Sequence, residues 1–276
     1  MIPTLPLLVE PLALQPLLNQ PDLLILDLSS QEHYDQGHLP GAIRMDSRRL
    51  LRGSGPVPNL IPTEAQLSEL CSELGIGPDT QVVAYDDQLG PWAGRLVWTL
   101  HCIGHARASV LNGQLPAWVD AGLELDTAVH QPVPIERHVS LVHPELIMSA
   151  DQIQTATEQG RLTVWDARSA AEYSGEKVVN ASRGGHIPGA RHLEWTDLLE
   201  PGPIPRLKSA EALKQLLIQA GIDPDQPVVT HCQTHRRSGL TWLVGSWLGM
   251  KQLSCYDGSW FEWGNSPERP VEQSTP

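Results

Sequence analysis

The chain repeats itself, and this internal repeat limits the folds that are open to it. Four segments of the first half recur in the same order in the second half. The matched pairs are Asp27–Tyr34 with Asp166–Tyr173, Gly37–Ala42 with Gly185–Ala190, Val82–Asp86 with Val228–Cys232, and Asn112–Gly113 with Asp257–Gly258. Matches in a constant order indicate two homologous domains, and 276 residues suffice for both.

The repeat also predicts where the domains lie. We predict an N-terminal domain at 1–128, a linker at 129–146 and a C-terminal domain at 147–276. The linker prediction rests on a stretch around 127–144 that is rich in Pro, Val and His and lacks a clear periodicity.

Each half shows the pattern of an α/β domain. Short apolar runs at 23–27 and 162–165 are typical of buried parallel strands. Helical apolar spacing at 63–74 and 209–220 is followed in both halves by a glycine, a residue common at helix C-termini. Because strands alternate with helices, we predict an α/β fold in which each domain is a parallel sheet with helices on both faces.

Charge and composition exclude several classes of protein. The net charge of −13 argues against binding to nucleic acid or to anionic membranes, because the overall field repels polyanions. No apolar run approaches the roughly 18–20 residues of a membrane span, and the N-terminus lacks the cationic region of a signal peptide. The four cysteines suggest no disulfide framework and contain no CxxC motif, so no metal is expected. We expect a soluble protein of a reducing compartment, the cytoplasm.

Cys232 is the candidate nucleophile. It follows a buried strand and precedes a helix that we expect to begin near Ser238 or Gly239. Ligands of parallel α/β sheets bind at the carboxyl ends of the strands, where this loop lies. In such a loop, backbone N–H groups converge on one point, and the helix N-terminus adds partial positive charge.

The residues around the cysteine add to this positive potential. Arg236, Arg237 and His235 are cationic or can become so, and together they favour the thiolate over the thiol. Where the second copy has Cys232, the first copy has Asp86. A carboxylate cannot carry a sulfur atom, so we expect one working site and one inactive site.

Other polar residues are given structural interpretations. The cysteines expected to be small buried side chains are Cys71, Cys102 and Cys255. The residues expected to be ordinary surface charges are Glu172, Lys177 and Arg183. Asp27 and Asp166 end their strands and are expected to hold local hydrogen bonds. For His231, a structural and a functional role stay open.

These residues carry a family likeness. The chain resembles two-domain thiosulfate sulfurtransferases, the rhodaneses, over nearly its whole length. The resemblance rests on the two GHxPGA motifs at 37–42 and 185–190, on the loop Cys232–Ser238, and on the Gly-Ser-Trp segment at 258–260. It implies two tandem rhodanese-like domains, of which the N-terminal one is catalytically silent.

The resemblance also implies a chemistry. Cys232 would take the outer sulfur of thiosulfate and pass the resulting persulfide sulfur to cyanide, a small thiol, or a thioredoxin-like or other sulfur-acceptor protein. The residues implied to bind the persulfide or the donor are Gln233, Thr234, His235, Arg236, Arg237 and Ser238. No cofactor is needed, because the cysteine itself carries the sulfur.

The sequence departs from the better-known branches of this family. Its loop is neither the CRKGVT loop of animal rhodaneses nor the CGSGVT-like loop of mercaptopyruvate sulfurtransferases. It looks like the loop of a bacterial subgroup with the sequence CQTHHRS. In the present chain, Arg236 replaces the second histidine of that sequence. Glu172 stands where animal enzymes have a substrate-binding arginine. Thiosulfate is the expected donor, and 3-mercaptopyruvate stays open as an alternative.

Two further alternatives belong to other classes. Cysteine-based phosphatases and arsenate reductases use an HC-x5-R loop, but here the arginine is Arg237, five residues after Cys232 instead of six. We therefore expect negligible phosphatase activity. A sulfur-delivery protein or a binding module without turnover is the other alternative, and the cationic loop around the cysteine argues against the module.

Overall fold

The computed structural model describes residues 2–273, which divide into two compact units. Unit 1 consists of the chain up to Gly53, Ile61–His143 and Glu200–Leu207. Unit 2 consists of Ser54–Leu60, Pro144–Leu199 and the chain from Lys208 onward. Each unit thus includes one short segment from the opposite half of the chain.

Unit 1 contains a five-stranded parallel sheet in the order β1-β5-β4-β2-β3. Its strands are β1 (Leu8–Val9), β2 (Leu23–Asp27), β3 (Ile43–Arg44), β4 (Gln81–Tyr85) and β5 (Ala108–Leu111). Its helices are α1 (Pro11–Leu14), α2 (Gln31–Gln36), α3 (Glu64–Leu74), α4 (Pro91–Cys102) and α5 (Gln114–Asp120).

Unit 2 contains a four-stranded parallel sheet in the order β7-β6-β8-β9. Its strands are β6 (Thr163–Asp166), β7 (Arg191–His192), β8 (Val228–His231) and β9 (Leu253–Cys255). Its helices are α6 (Ala150–Glu158), α7 (Ala170–Ser174), α8 (Ala210–Gln219), α9 (Arg237–Trp247) and α10 (Ser259–Trp263). The predicted α/β class is confirmed.

The central strands form because both of their faces are buried. All five positions of β4 are buried, and all four of β8, as expected for parallel strands covered on both sides. In unit 1, Val83 and Tyr85 pack in a cluster with Trp118. In unit 2, Val229 packs in a cluster with Trp260.

Helix α3 shows how the sequence sets its own boundaries. Thr63 caps its N-terminus in a capping box with Gln66. Gly75 ends it in the left-handed conformation at φ 70°, and a Cβ there would lie 2.5 Å from the carbonyl oxygen of Val133. Glycine is therefore required at this helix end, both for its positive φ and because a Cβ would clash with the Val133 carbonyl.

Within residues 2–273, no helix has both the length and the apolar character needed to cross a membrane.

Candidate active site

The loop after β8 carries the cysteine that the sequence indicates. The strand ends at His231 and α9 begins at Arg237. The helix begins slightly earlier than expected, because the N–H of Gly239 already donates to the carbonyl of Arg236 at 3.0 Å. Cys232 is 1 % exposed. The thiol therefore lies buried within the loop that leads into α9.

The surroundings of Cys232 stabilise its thiolate form. Burial alone raises the pKa of the Cys232 thiol, but the positive charge of Arg237 and hydrogen bonds from the Ser238 and Thr234 amides outweigh it, so the pKa lies below its ordinary value. The Ser238 hydroxyl also hydrogen-bonds to the sulfur. A thiolate held in this way is an activated nucleophile.

His235 holds the Ser238 hydroxyl in place. Its φ of 57° lies in the left-handed region, which a residue with a Cβ adopts only when the surrounding structure enforces it. Its Nδ1 lies 2.7 Å from the Ser238 Oγ, and the ring is fully buried. When the hydroxyl donates to the Cys232 sulfur, its oxygen accepts from the His235 Nδ1–H. His235 thus acts on the sulfur through Ser238.

Arg237 is held by a carboxylate that the sequence analysis placed on the surface. Its Nη1 and Nη2 donate to the two Glu172 oxygens at 2.7 and 2.8 Å. Burial raises the pKa of Glu172, but the hydrogen bonds and charge of Arg237 outweigh it and hold the pKa at about 2. The expectation that Glu172 is an ordinary surface charge is wrong, because only 4 % of the residue is exposed.

A buried polar network supports the loop from the end of β6. Arg168 donates to both Asp166 oxygens, from Nε at 2.9 Å and from Nη2 at 2.6 Å. His231 donates from Nδ1 to the Cys232 carbonyl at 3.0 Å. Its Nε2 lies 3.5 Å from an Asp166 oxygen. All three side chains are at most 1 % exposed.

Burial and the neighbouring charges shift the pKa values of His231 and Asp166 in this network. Burial lowers the pKa of His231, so the imidazole is neutral and its contact with Asp166 is not an ion pair. Burial raises the pKa of Asp166, but the charge of Arg168 outweighs it and the net shift is downward. The ion pair is therefore Asp166 with Arg168. His231 contacts the backbone of the loop, and the expected local hydrogen bonds of Asp166 are present.

Arg168 is the residue of this network that sequence analysis missed. A signal was present, because the second copy reads Asp-Ala-Arg at 166–168 where the first copy reads Asp-Leu-Ser at 27–29. In unit 1 the Ser29 N–H donates to Asp27 Oδ1 at 2.7 Å, and no arginine follows. The copy that has Arg168 is thus the copy that has Cys232, and the copy that has Ser29 is the copy that has Asp86.

The other side of the loop contacts an insertion that only the second copy contains. Between the Tyr and the GHxPGA motif, unit 2 has the eleven residues 174–184 where unit 1 has two residues. The Gln233 Nε2 donates to the Val179 carbonyl, and the Gln233 carbonyl accepts from the Phe261 N–H at 2.9 Å.

The predicted surface charge of Lys177 is confirmed by its exposure. Arg183 instead donates to the backbone carbonyls of Trp263, the last residue of α10, and of Arg269.

The predicted loop residues therefore divide by what they contact. Thr234, Arg237 and Ser238 bring donors or charge to the Cys232 sulfur. The side chains of Gln233 and His235 bind neighbouring protein groups, and Arg236 is half-buried at the N-cap of α9.

The matching loop of unit 1 shows what this backbone arrangement binds. Asp86 stands at the position of Cys232 and is 1 % exposed. Its Oδ1 accepts from the N–H groups of Gln88 and Gly90 at 2.7 and 2.8 Å. Its Oδ2 accepts from those of Trp92 and Ala93 at 2.8 and 3.0 Å. Four backbone donors thus converge on one carboxylate, as in other anion-binding loops.

The remaining cysteines lie outside this chemistry. Cys71, Cys102 and Cys255 are fully buried, which confirms their expected environment. Burial raises the pKa of the Cys71 thiol to about 11, the opposite of the shift at Cys232.

The chain is similar to known proteins over both of its halves. The family model of the rhodanese-like domain matches residues 10–121 and 149–266. The chain is 44 % identical to a thiosulfate sulfurtransferase of Pseudomonas aeruginosa over 270 residues, which cover 97 % of each chain. It is also 44 % identical to a thiosulfate sulfurtransferase of Azotobacter vinelandii, with 98 % of each chain covered.

A solved structure has the same fold. It is an anaerobic ergothioneine biosynthesis enzyme from Chlorobium limicola in complex with trimethyl histidine. The TM-score is 0.86 at 25 % identity, covering 98 % of this chain and 71 % of that one. With both halves matched by the domain model, the chain belongs to the rhodanese family and consists of two rhodanese-like domains.

Proposed function

We propose that the chain is a thiosulfate sulfurtransferase in which Cys232 carries the transferred sulfur as a persulfide. The observation that supports this most directly is the Cys232 sulfur itself. It is buried, its pKa is lowered by Arg237 and two loop amides despite burial, and it occupies a loop whose counterpart holds the Asp86 carboxylate. Two relatives covered over nearly their whole length are thiosulfate sulfurtransferases.

In the first half-reaction, thiosulfate binds near Arg237 and the Cys232 thiolate attacks its outer sulfur. A bond forms between the cysteine sulfur and the outer sulfur, and the bond from that sulfur to the sulfonate sulfur breaks. Sulfite leaves with the electron pair. The persulfide keeps one negative charge, which the Thr234 and Ser238 amides and Arg237 stabilise.

In the second half-reaction, an acceptor attacks the outer sulfur of the persulfide. Cyanide then leaves as thiocyanate, or a thiolate leaves as a persulfide, and the Cys232 thiolate is regenerated. Because Cys232 is 1 % exposed, the acceptor is a small nucleophile or a thiol on a narrow projection of a thioredoxin-like protein.

Four free cysteines suit a reducing compartment, and we propose the cytoplasm.

Intact mass spectrometry tests the proposal. Thiosulfate should add about 32 Da to the purified protein, and cyanide should remove this mass. Cys232→Ser should abolish the gain. Cys71→Ala is the matched control and should behave like the wild type, since the Cys71 thiol is not activated. A gain that survives in Cys232→Ser, or no gain in a folded wild type, contradicts the assignment.

A further inference from the structure

Three side chains of a kind that bind transition metals converge in unit 1, beside the first GHxPGA motif. They are His38, Asp126 and His130, and their ligand atoms all lie within 4.8 Å of one another. Within residues 2–273 this is the one group of three such side chains that meets this spacing. The backbone fixes two of them, because His38 and Asp126 exchange both N–H···O bonds at 2.9 and 2.8 Å.

The His38 ring is held in one orientation by backbone carbonyl groups. The ring is fully buried, its Nδ1 lies 2.8 Å from the Tyr34 carbonyl oxygen, and its Nε2 lies 3.0 Å from the Ala128 carbonyl oxygen. A carbonyl oxygen can only accept, and a neutral imidazole has a single N–H. A ring that donates its Nδ1–H to the Tyr34 carbonyl has Nε2 as the atom that can bind a metal ion, and this Nε2 lies beside the Ala128 carbonyl oxygen.

A metal ion fits this arrangement of the ring. With the metal on Nε2, the Nδ1–H donates to the Tyr34 carbonyl, the second hydrogen bond that orients most histidine ligands. The Ala128 carbonyl then faces the same ion. Tyr34 also stacks on the His38 ring at 3.8 Å with an interplanar angle of 1°, which holds the ring in this orientation.

The other two ligands are accessible from solvent. His130 Nε2 lies 2.7 Å from Asp126 Oδ2, and their side chains are 35 % and 29 % exposed. An ion can therefore enter from outside and replace the hydrogen bond between these two side chains.

We propose that His38, Asp126 and His130 bind a divalent transition metal of the zinc class, with the Ala128 carbonyl as a fourth ligand. Two imidazole nitrogens with two oxygens suit zinc and its neighbours, whereas magnesium and calcium prefer oxygen alone. The ion fastens the chain around Asp126–His130 to the GHxPGA turn. It takes no part in sulfur transfer.

Unit 2 provides an internal comparison. His186 stacks on Tyr173 at 3.7 Å, and its Nδ1 contacts the Tyr173 carbonyl at 2.8 Å. Glu272 takes the place of Asp126 in the matching backbone bridge. At the spacing that gives His130 in unit 1, the sequence has Pro276. Unit 2 therefore has no histidine at the position that corresponds to His130, and we expect no corresponding site there.

Metal titration of untagged protein tests the proposal. Because the Cys232 thiolate would itself bind zinc, the titrations use the Cys232→Ser variant after dialysis against a chelator. Calorimetry should show one equivalent of Zn²⁺ bound, and Co²⁺ should give the visible absorption bands of a tetrahedral site. Zn²⁺ should also raise the Tm of this variant.

The added substitution His130→Ala should weaken Zn²⁺ binding at least tenfold and remove the rise in Tm, and it should fold because His130 is partly exposed. His33→Ala is the matched control, since His33 also pairs with an aspartate, at 2.6 Å from Asp87, but has no second histidine nearby. It should bind Zn²⁺ like its parent. No binding by the parent, or equal binding after His130→Ala, overturns the proposal.

Discussion

Arg237 interacts with two groups at the proposed active site, the Glu172 carboxylate and the Cys232 sulfur. The first offsets the positive charge of Arg237, and the second is stabilised by that charge. Glu172 holds its guanidinium by two hydrogen bonds, which fixes its position but neutralises much of its charge. Cys232 and the anionic donor need that same charge. Arg237 can serve both groups, because a planar guanidinium has five N–H donors and Glu172 accepts from only two of them.

Arg237→Ala should raise the KM for thiosulfate roughly tenfold or more, in line with the loss of a charged hydrogen bond worth about 1.5–3 kcal/mol. Steady-state kinetics measure this. The single variant leaves the Glu172 carboxylate buried and unpaired, so the double variant Arg237→Ala with Glu172→Gln is the control. If the double variant recovers the wild-type KM, the effect came from Glu172 and Arg237 does not bind the donor.

Glu172→Gln should lower the pKa of the Cys232 thiol further. The substitution keeps the shape of the side chain and removes a negative charge that offsets Arg237, so the thiolate gains net stabilisation. The pH dependence of alkylation by iodoacetamide should shift to lower pH. An unchanged or upward shift would show that Glu172 positions Arg237 without altering the potential at the sulfur.

Sequence reasoning identified Cys232 because its signal is local. Strand, cysteine, cations and helix follow one another within a dozen residues. Glu172 gave no such signal, since its partner lies 65 residues away and an exposed and a buried glutamate look alike in a sequence. The network of Asp166, Arg168 and His231 is partly visible only when the two copies are compared.

At the scale of elements, the loops that contain Asp86 and Cys232 keep one conformation with different side chains. Leu89 and His235 occupy matching positions and have φ values of 72° and 57°. Gln114 and Ser259 each have a φ of 55°, and their side chains accept from the N–H of Asp86 and Cys232 respectively. The strained backbone is thus retained in a copy without a cysteine. We infer that the loop requires hydrogen-bond acceptors at its centre, which the Asp86 carboxyl oxygens supply in unit 1.

Asp86→Asn should destabilise unit 1 by about 2 kcal/mol or more. An amide nitrogen would then face backbone N–H groups that now donate to an oxygen, and buried donors would lose their acceptor. Urea unfolding followed by circular dichroism measures the loss. Asp87→Asn, next in sequence but with its side chain on Ser30 and His33, is the control and should change stability less. Equal effects would show that the four amides of the Asp86 loop do not require two oxygen acceptors at this position.

The regular elements follow closely from the sequence. The helix predicted at 63–74 begins after its Thr63 cap, and the one predicted at 209–220 is found at Ala210–Gln219. The strand predicted at 162–165 is found at Thr163–Asp166. These elements were predictable because apolar periodicity, caps and terminal glycines act over a few residues.

At the scale of the whole molecule, the repeat predicts two domains of the same fold but not the short segments that they exchange. Ser54–Leu60 belongs to unit 2 and Glu200–Leu207 to unit 1. Asn59 donates to the carbonyls of Asp257 and Gly258, and Leu207 donates to Asn112. Such contacts join residues about 95 to 199 positions apart and have no periodicity that a sequence could show.

The duplication leads to a last prediction about where catalysis can reside. The double variant Asp86→Cys with Cys232→Ser moves the cysteine to unit 1. There the loop amides remain, but Pro91 stands at the position of Arg237 and Trp92 at that of Ser238. The moved thiol should therefore lack the charge and the hydroxyl that activate Cys232.

We expect this double variant to show no gain of about 32 Da with thiosulfate and no turnover. Asp86→Cys alone should gain one sulfur, as the wild type does, and serves as the control for folding. A mass gain in the double variant would show that the amide cradle suffices for sulfur transfer. Its absence, with the control active, would mean that unit 1 lost the reaction through its missing arginine and serine as well as through its missing cysteine.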